Sequence, residues 1–364
     1  MSENVFLDSV NAVEFYVGSA RQWAFFHEKA MGFTPVGYAG PETGVRDRVS
    51  YLMKQGKFNL ILTSFLDPDS YIAQHIKTHG DGVHDVSLKV PDIELAVKEI
   101  EKRGLIKPSK IRETRSEYGI LRSSVISTYG DTVHSLVDYS SYDSDLPPGF
   151  QEIDGVKMKE SGTGLTGIDH IVGNVEENRM DPWVDYYIKG LNFKQFVSFD
   201  DKDISTEYSA LRSKVVEYNN RSIVFPINEP ALGLKKSQIQ EYIDYYKSPG
   251  VQHIAITTDN IIKTVSDLKK RGVEFLETPS SYYTTLADRV GKIDEDIESL
   301  KKHNILVDRD DTGYMLQIFT KPIGDRPTFF YEIIQRKGGT SFGKGNFKAL
   351  FEAIEREQAR RGNL

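Results

Sequence analysis

Three side chains of metal-binding type sit in the second half of the chain where such side chains are out of place. His170 lies in Gly167-Ile168-Asp169-His170-Ile171-Val172, His253 in Val251-Gln252-His253-Ile254-Ala255-Ile256, and Glu332 in Phe329-Phe330-Tyr331-Glu332-Ile333-Ile334. Each segment reads as an apolar strand. The period of two sets each polar residue on the face of apolar neighbours: Ile168 and Val172, Val251 and Ala255, Phe330 and Ile334. A carboxylate on such a face is unfavourable unless it is paired or bound to a cation. Two imidazoles and one carboxylate leave coordination positions open, a set that suits non-haem Fe(II), which needs them for substrate and O₂. Zinc accepts the same ligands, so the donor set alone leaves the metal open.

Taken singly, each residue has a plainer reading. His170 or His253 alone is more often a hydrogen-bonded core histidine than a ligand, and Glu332 alone could pair with Arg326 or Arg336. Three such residues on three strands of one half-chain shift the balance towards a site. The rest of the sequence adds an asymmetry. Gly250-Val251-Gln252-His253-Ile254-Ala255-Ile256 has an earlier counterpart in Gly82-Val83-His84-Asp85-Val86-Ser87-Leu88. Both run through a helical segment to Lys-Arg-Gly, and the offset of 168 residues holds from Gly82 and Gly250 to Gly104 and Gly272. A constant offset indicates a duplicated domain. In that alignment Asp85 replaces His253 and Ala12 replaces His170. His84 and His134 of the first half then read as polar or structural residues.

The elements that must carry these residues alternate between strand and helix. In the first half, strands are expected over 10–17, 50–53, 58–63 and 83–90, with a helix over 19–30. Asp92 caps a second helix bearing Ile93, Val97 and Ile100, which ends at Gly104 behind Lys102 and Arg103. In the second half, strands are expected over 167–175, 208–216, 222–226, 251–257, 314–320 and 328–335, and helices over 182–190 and 260–270. The turn-rich segment 140–149 reads as a linker. A terminal helix over 344–361 carries Phe347, Leu350, Phe351 and Ile354 on one side.

Composition narrows the function class. The chain has 364 residues, enough for two domains, with 39% hydrophobic and 27% charged residues. It has no cysteine, which excludes disulfides and thiolate metal sites and fits a cytoplasmic protein. No run approaches the ~20 apolar residues of a membrane span, and Met1-Ser2-Glu3-Asn4 shows no secretory pattern. A net charge of −7 without a basic block argues against nucleic acid.

With these segments in view, the paired modules resemble the vicinal-oxygen-chelate superfamily of glyoxalases and extradiol dioxygenases. Within it, the second half resembles the 4-hydroxyphenylpyruvate dioxygenase family. The matching segments include Gly167-Ile168-Asp169-His170-Ile171-Val172-Gly173-Asn174, Tyr208-Ser209-Ala210-Leu211-Arg212-Ser213, Pro226-Ile227-Asn228-Glu229-Pro230 and Lys236-Ser237-Gln238-Ile239-Gln240. They continue through Gly250-Val251-Gln252-His253-Ile254-Ala255, Asp308 to Pro322, Glu332-Ile333-Ile334-Gln335-Arg336 and Phe342-Gly343-Lys344-Gly345-Asn346-Phe347. The first half matches more loosely, through Val13-Glu14-Phe15-Tyr16-Val17-Gly18 and Met31-Gly32-Phe33.

The resemblance implies an α+β fold of two tandem vicinal-oxygen-chelate domains built from paired βαβββ modules. The C-terminal half forms an open barrel around the metal and ends in a lid helix. It implies a first domain over 1–140 without catalytic metal, a linker over 141–160 and a catalytic domain over 161–364. It further implies Fe(II) on His170, His253 and Glu332; hydrogen-bonding groups at Ser213, Asn228, Gln238, Gln252 and Gln317; and a substrate-binding lining at Pro226, Phe319, Phe342, Asn346 and Phe347. Substrates would be 4-hydroxyphenylpyruvate and O₂, the products homogentisate and CO₂, and the assembly a homodimer or homotetramer. Read from pattern alone, Ser213 and Asn228 could cap turns, Gln238 could be solvated, and Phe342 and Phe347 could anchor the last helix. The competing functions are 4-hydroxymandelate synthesis from the same substrate, a glyoxalase-like Zn or Ni lyase, and a non-catalytic binding protein.

Overall fold

The computed structural model describes residues 5–154, 162–200 and 210–363. Tyr208, Ser209, the first four residues and part of the expected linker lie outside the described residues. The first half contributes β1 (Ser9–Tyr16), β2 (Thr34–Ala39), β3 (Arg48–Gln55), β4 (Phe58–Phe65), β5 (Gly82–Lys89), β6 (Arg112–Ser116), β7 (Gly119–Ser127), β8 (Val133–Asp138) and β9 (Gln151–Glu152). The second half contributes β10 (Leu165–Asn174), β11 (Lys194–Phe199), β12 (Ala210–Tyr218), β13 (Ile223–Ala231), β14 (Gly250–Thr258), β15 (Leu306–Asp310), β16 (Gly313–Phe319) and β17 (Phe330–Lys337). Helices α1 (Ala20–Phe26), α2 (Tyr71–His79) and α3 (Ile93–Arg103) belong to the first half. Helices α4 (Met180–Asp185), α5 (Gln238–Tyr246), α6 (Ile261–Lys270), α7 (Ser281–Thr284), α8 (Leu286–Val290), α9 (Ile297–His303) and α10 (Phe347–Arg360) belong to the second.

The two sheets have one plan. The first runs β6-β7-β8-β5-β1-β4-β3-β2-β9, the second β15-β16-β17-β14-β10-β13-β12-β11. Apart from β9, each strand of one sheet has a counterpart in the other, and each half is two βαβββ modules joined by a helix, α2 or α5. The helix signals repeat as well. Ser70 caps α2 and Ser237 caps α5, while Asp92 caps α3 and Asn260 caps α6, each side chain accepting a first-turn N–H. The register shows the equivalence residue by residue. Ala12 pairs with Ser87 and Glu14 with Asp85 in the first half; His170 pairs with Ala255 and Val172 with His253 in the second.

Two expected helices are shorter than their patterns suggest. The segment 19–30 is helical to Phe26 and then widens to a π turn over His27–Met31; 182–190 likewise gives α4 and a π turn over Tyr186–Gly190. The expected linker supplies β9, which pairs with β2. In both π turns the next phenylalanine closes on the same carbonyl position: Phe33 N–H donates to His27 O, and Phe193 N–H to Tyr187 O. His27 and Tyr187 are therefore equivalent.

That equivalence explains how the halves join. The Tyr331 hydroxyl, on β17, lies 2.9 Å from His27 Nε2, and the Tyr187 hydroxyl lies 2.9 Å from His134 Nε2, on β8. Tyr331 precedes Glu332 as His134 precedes the equivalent Ser135, so the two contacts are one contact with histidine and tyrosine exchanged. The His27 Nδ1 bonds the carbonyl of Trp23 and the His134 Nδ1 that of Val86, both at 2.8 Å. A carbonyl only accepts, so Nδ1 carries the proton and neutral Nε2 accepts from the tyrosine. One apolar core runs through both halves, with Phe15 and Phe329 edge to face at 4.8 Å.

Burial depresses both interface histidines to a pKa of about 4 from an ordinary 6.5. The unfolded chain therefore binds more protons than the native one between those values, and stability falls as pH falls through that window. Each ring contributes up to roughly 3 kcal/mol to that loss. The wild type is expected to lose urea resistance between pH 6.5 and 4 more steeply than a His27→Gln/His134→Gln variant; parallel pH profiles would show that the rings are not held neutral.

Candidate metal centre

The ligand geometry rests on two β-bulges. In β10 the register steps from Ile168 opposite Ile256 to His170 opposite Ala255, leaving Asp169 as the extra residue. In β14 it steps from His253 opposite Val172 to Val251 opposite Gly173, leaving Gln252 as the extra residue. A bulge disturbs the alternation of faces and re-aims side chains. Here each extra residue grips the histidine that follows it. Asp169 Oδ1 is 2.7 Å from His170 Nδ1, and Gln252 Oε1 is 3.0 Å from His253 Nδ1. With Nδ1 occupied, both imidazoles turn Nε2 towards Glu332, on β17, at 3.3 Å and 3.5 Å from its Oε2.

These separations suit a metal. Two ligands at about 2.1 Å from one ion lie about 3.0–3.4 Å apart, between octahedral and tetrahedral angles. His170 and Glu332 are buried and His253 is nearly so, and one ligand atom from each lies within 4.8 Å of the others. The plainer reading of Glu332 fails on geometry. Arg336 grips Asp169 instead, at 2.7 and 2.8 Å, and Arg326 donates to the carbonyls of Thr78 and Tyr245. Among the described residues, Glu332 has only the two imidazoles as ion-pair partners.

Protonation follows from this layout. Burial pushes the Glu332 carboxyl up, but His170 and His253 more than offset it, and the net direction is down. Burial lowers His253, and the Glu332 contact only partly restores it. Burial lowers His170 too, yet its hydrogen bonds to Asp169 and Glu332 raise it overall.

The expected pocket residues converge above the trio. Ser213 from β12, Pro226 and Asn228 from β13, Gln252 from β14, and Gln317 and Phe319 from β16 line one cavity with His170, His253 and Glu332. Gln238, the first residue of α5, joins them, as do Phe342 and Phe347. Inward residues of seven strands meet around one space, so the sheet curls about it as an open barrel. Helix α10 closes the space with Phe347, Leu350, Phe351 and Ile354. Gly343 fits the approach to this helix because its φ is +77° and a Cβ there would come within 2.7 Å of Gln317 Nε2.

Asn346 departs from expectation. It is fully buried, accepts a hydrogen bond from the Tyr282 hydroxyl at 2.6 Å and does not line the cavity. Its place before α10 turns it towards α7. Sequence reading also missed Phe199, Leu211 and Phe330 as walls, and Asp169 and Arg336 as supports of His170. For Asp169 a signal existed, a second polar residue next to His170 in an apolar strand.

The equivalent positions of the first half hold Ala12, Asp85 and Ser135. Asp85 accepts the Ser135 N–H at 2.9 Å, and burial pushes its pKa up to about 7.

Comparison with known proteins agrees with this architecture. The family profile of the Glyoxalase/Bleomycin resistance protein/Dioxygenase superfamily matches residues 167–318. A structure of a mutant 4-hydroxymandelate synthase from Streptomyces coelicolor superposes with a TM-score of 0.81 at 31% identity, covering 97% of this chain and 100% of that one. The fold and the buried triad thus define a vicinal-oxygen-chelate protein able to hold a metal. Among curated relatives, a 4-hydroxyphenylpyruvate dioxygenase from Yarrowia lipolytica is 46% identical over 97% of this chain and 92% of its own length. One from Xenopus tropicalis is 47% identical over 98% and 93%. The chain belongs to the 4-hydroxyphenylpyruvate dioxygenase family.

The Asp169 contact carries a prediction. Outer partners that orient a ligating histidine typically contribute 10–100-fold to metal affinity. Asp169→Asn is expected to weaken metal binding by roughly that factor with the fold intact. Direct metal titration checks it, and unchanged affinity would separate Asp169 from the site.

Proposed function

We propose that this chain is an Fe(II)-dependent dioxygenase that converts 4-hydroxyphenylpyruvate and O₂ into homogentisate and CO₂, in the breakdown of tyrosine and phenylalanine. The observation that carries the reading is a buried trio of two Nε2 atoms and one carboxylate at the floor of an aromatic-walled cavity, in a chain 46–47% identical to dioxygenases of that name. We assign the metal to His170, His253 and Glu332. Fe(II) there would offer open coordination positions to the 2-oxo acid and O₂, together with the electrons that O₂ activation needs and side chains supply poorly.

The chain's own residues do the rest. Phe319, Phe342 and Phe347 give the phenol ring flat apolar walls, with Pro226 beside them. Ser213, Asn228, Gln238, Gln252 and Gln317 offer neutral donors and acceptors to the phenol and the side-chain oxygens without adding charge. Gln252 spends its carbonyl on His253, so its amide N–H groups are what remain for substrate. Helix α10 keeps water out while reactive oxygen species are present. We assign the first half, whose equivalent positions are Ala12, Asp85 and Ser135, to support without a catalytic metal. The cysteine-free chain fits a cytoplasmic enzyme, and no helix among the described residues is long and apolar enough to cross a membrane.

Identity favours this product over 4-hydroxymandelate, since the curated dioxygenases are 46–47% identical and the mandelate synthase structure 31%. The iron-loaded protein is expected to form homogentisate only when O₂ is present. 4-Hydroxymandelate as main product, or turnover under strict anaerobiosis, would overturn the reading. His170→Ala, His253→Ala and Glu332→Ala should each lose most bound iron and turnover while remaining folded.

The closing helix generates its own expectation. Truncation before Phe342 should lower homogentisate formed per O₂ consumed. If the helix serves packing alone, stability falls and that ratio does not.

A further inference from the structure

A second group of metal-ligating side chains lies in the first half and shares no residue with the trio. His75 and His79 are four residues apart on α2, one turn of one helix face. Asp131 reaches them from the turn between β7 and β8. Its Oδ2 is 2.7 Å from His75 Nδ1 and 3.2 Å from His79 Nε2, and one ligand atom from each residue lies within 4.8 Å of the others. His75 is 1% exposed and His79 6%.

Hydrogen bonding leaves this cluster incomplete. His75 Nε2, Asp131 Oδ1 and the Nδ1 of neighbouring His84 are buried without a hydrogen-bond partner among the described residues. The His84 ring is 9% exposed and its centre is 5.7 Å from that of His75. One carboxylate oxygen meanwhile takes His75, His79 and, at 3.4 Å, the Tyr71 hydroxyl. His79 bonds the Tyr246 carbonyl through Nδ1 at 2.5 Å. Nδ1 must therefore donate, and Nε2 then faces the carboxylate. His170 has the same arrangement, with Nδ1 held and Nε2 turned to Glu332. An imidazole whose Nδ1–H is fixed by an acceptor, leaving Nε2 free to bind an ion shared with the carboxylate, is the usual arrangement around a ligating histidine.

We propose that His75, His79 and Asp131 form a second, non-catalytic site for a zinc-class divalent transition metal, with His84 supplying a further nitrogen. Imidazole and carboxylate donors suit that class. The 3.2 Å contact already matches two ligands on one ion; the 2.7 Å contact opens by about half an ångström when an ion replaces the shared proton. The ion would tie α2 to the β7–β8 turn at the joint between the halves. Across that joint, His79 holds the Tyr246 carbonyl at the end of α5, and Arg326 bridges the carbonyls of Thr78 and Tyr245. The Arg326 guanidinium, a charge felt by His79, donates to those carbonyls.

The test uses the full chain carrying His170→Ala and His253→Ala, so that the catalytic trio cannot bind. After chelator treatment and gel filtration, titration with Zn(II) or Co(II) should give one ion per chain. Co(II) should show the visible ligand-field bands of a low-coordinate nitrogen and oxygen site, and Zn(II) should raise the thermal midpoint. Adding Asp131→Asn, which keeps the side-chain shape, should weaken binding at least tenfold and abolish the thermal shift. If that variant fails to fold, the stoichiometry and Co(II) spectrum of its parent decide. A parent that retains no ion, or an Asp131→Asn protein that binds equally tightly, overturns the proposal.

Discussion

A carboxylate buried among apolar strands with no arginine to neutralise it is the constraint on which the second half of this protein depends. Glu332 sits beside Ile333 and Ile334 on a strand whose Arg336 is committed to Asp169 and whose Lys337 pairs with Asp294. Leaving such a charge unpaired is strongly unfavourable. Two imidazoles from two other strands face it, and both are held by the residue preceding them in a bulge. The fold thus spends local regularity, an extra residue in each of β10 and β14, to place the counter-groups of one charge. Moving either bulge by one position would turn the histidine out of the cavity, because side-chain direction alternates with every residue.

The first half shows the same bulges with the ligands removed. Asn11 and His84 are the extra residues of β1 and β5 where Asp169 and Gln252 are those of β10 and β14. Retaining the bulges without the metal trio indicates that they belong to the strand geometry of this plan and are independent of metal. What the first half contributes to the centre is support from outside. Tyr331 stands next to Glu332 in β17 and points the other way, and His27 fixes its hydroxyl. The strand that carries the carboxylate is therefore held from its reverse face by the other half of the chain.

Much of this was legible in the sequence where polarity and apolar surroundings conflict. His170, His253 and Glu332 stood out for that reason, and Ala12 and Asp85 hold the register positions in the first sheet that the two histidines hold in the second. The converse holds for what was missed. β6 was not expected, because Arg112-Glu113-Thr114-Arg115-Ser116 is polar throughout and forms an edge strand. The π turns follow from an extra residue within a helical pattern, which apolar spacing does not register. Asn346 looked like a pocket residue because it lies between Phe342 and Phe347, but the short turn at Lys344–Asn346 rotates it towards Tyr282. Spacing assigns a face only within a regular element, and this segment changes element.

The charge balance of the cavity connects these parts to substrate choice. Apart from the trio, every described residue lining the cavity is neutral, with no lysine or arginine among them. A 2-oxo acid is an anion, and carboxylate sites commonly rely on arginine. On the proposed reading, a divalent ion on two neutral imidazoles and one carboxylate would leave a net charge of one, which an anionic substrate would cancel. Without the ion, Glu332 would repel that substrate. The neutral amides can then be given over to the phenol and the keto oxygen, groups that need hydrogen bonds without charge. On that reading a metal on the trio would serve as the anion-binding group, and substrate binding would depend on metal binding first.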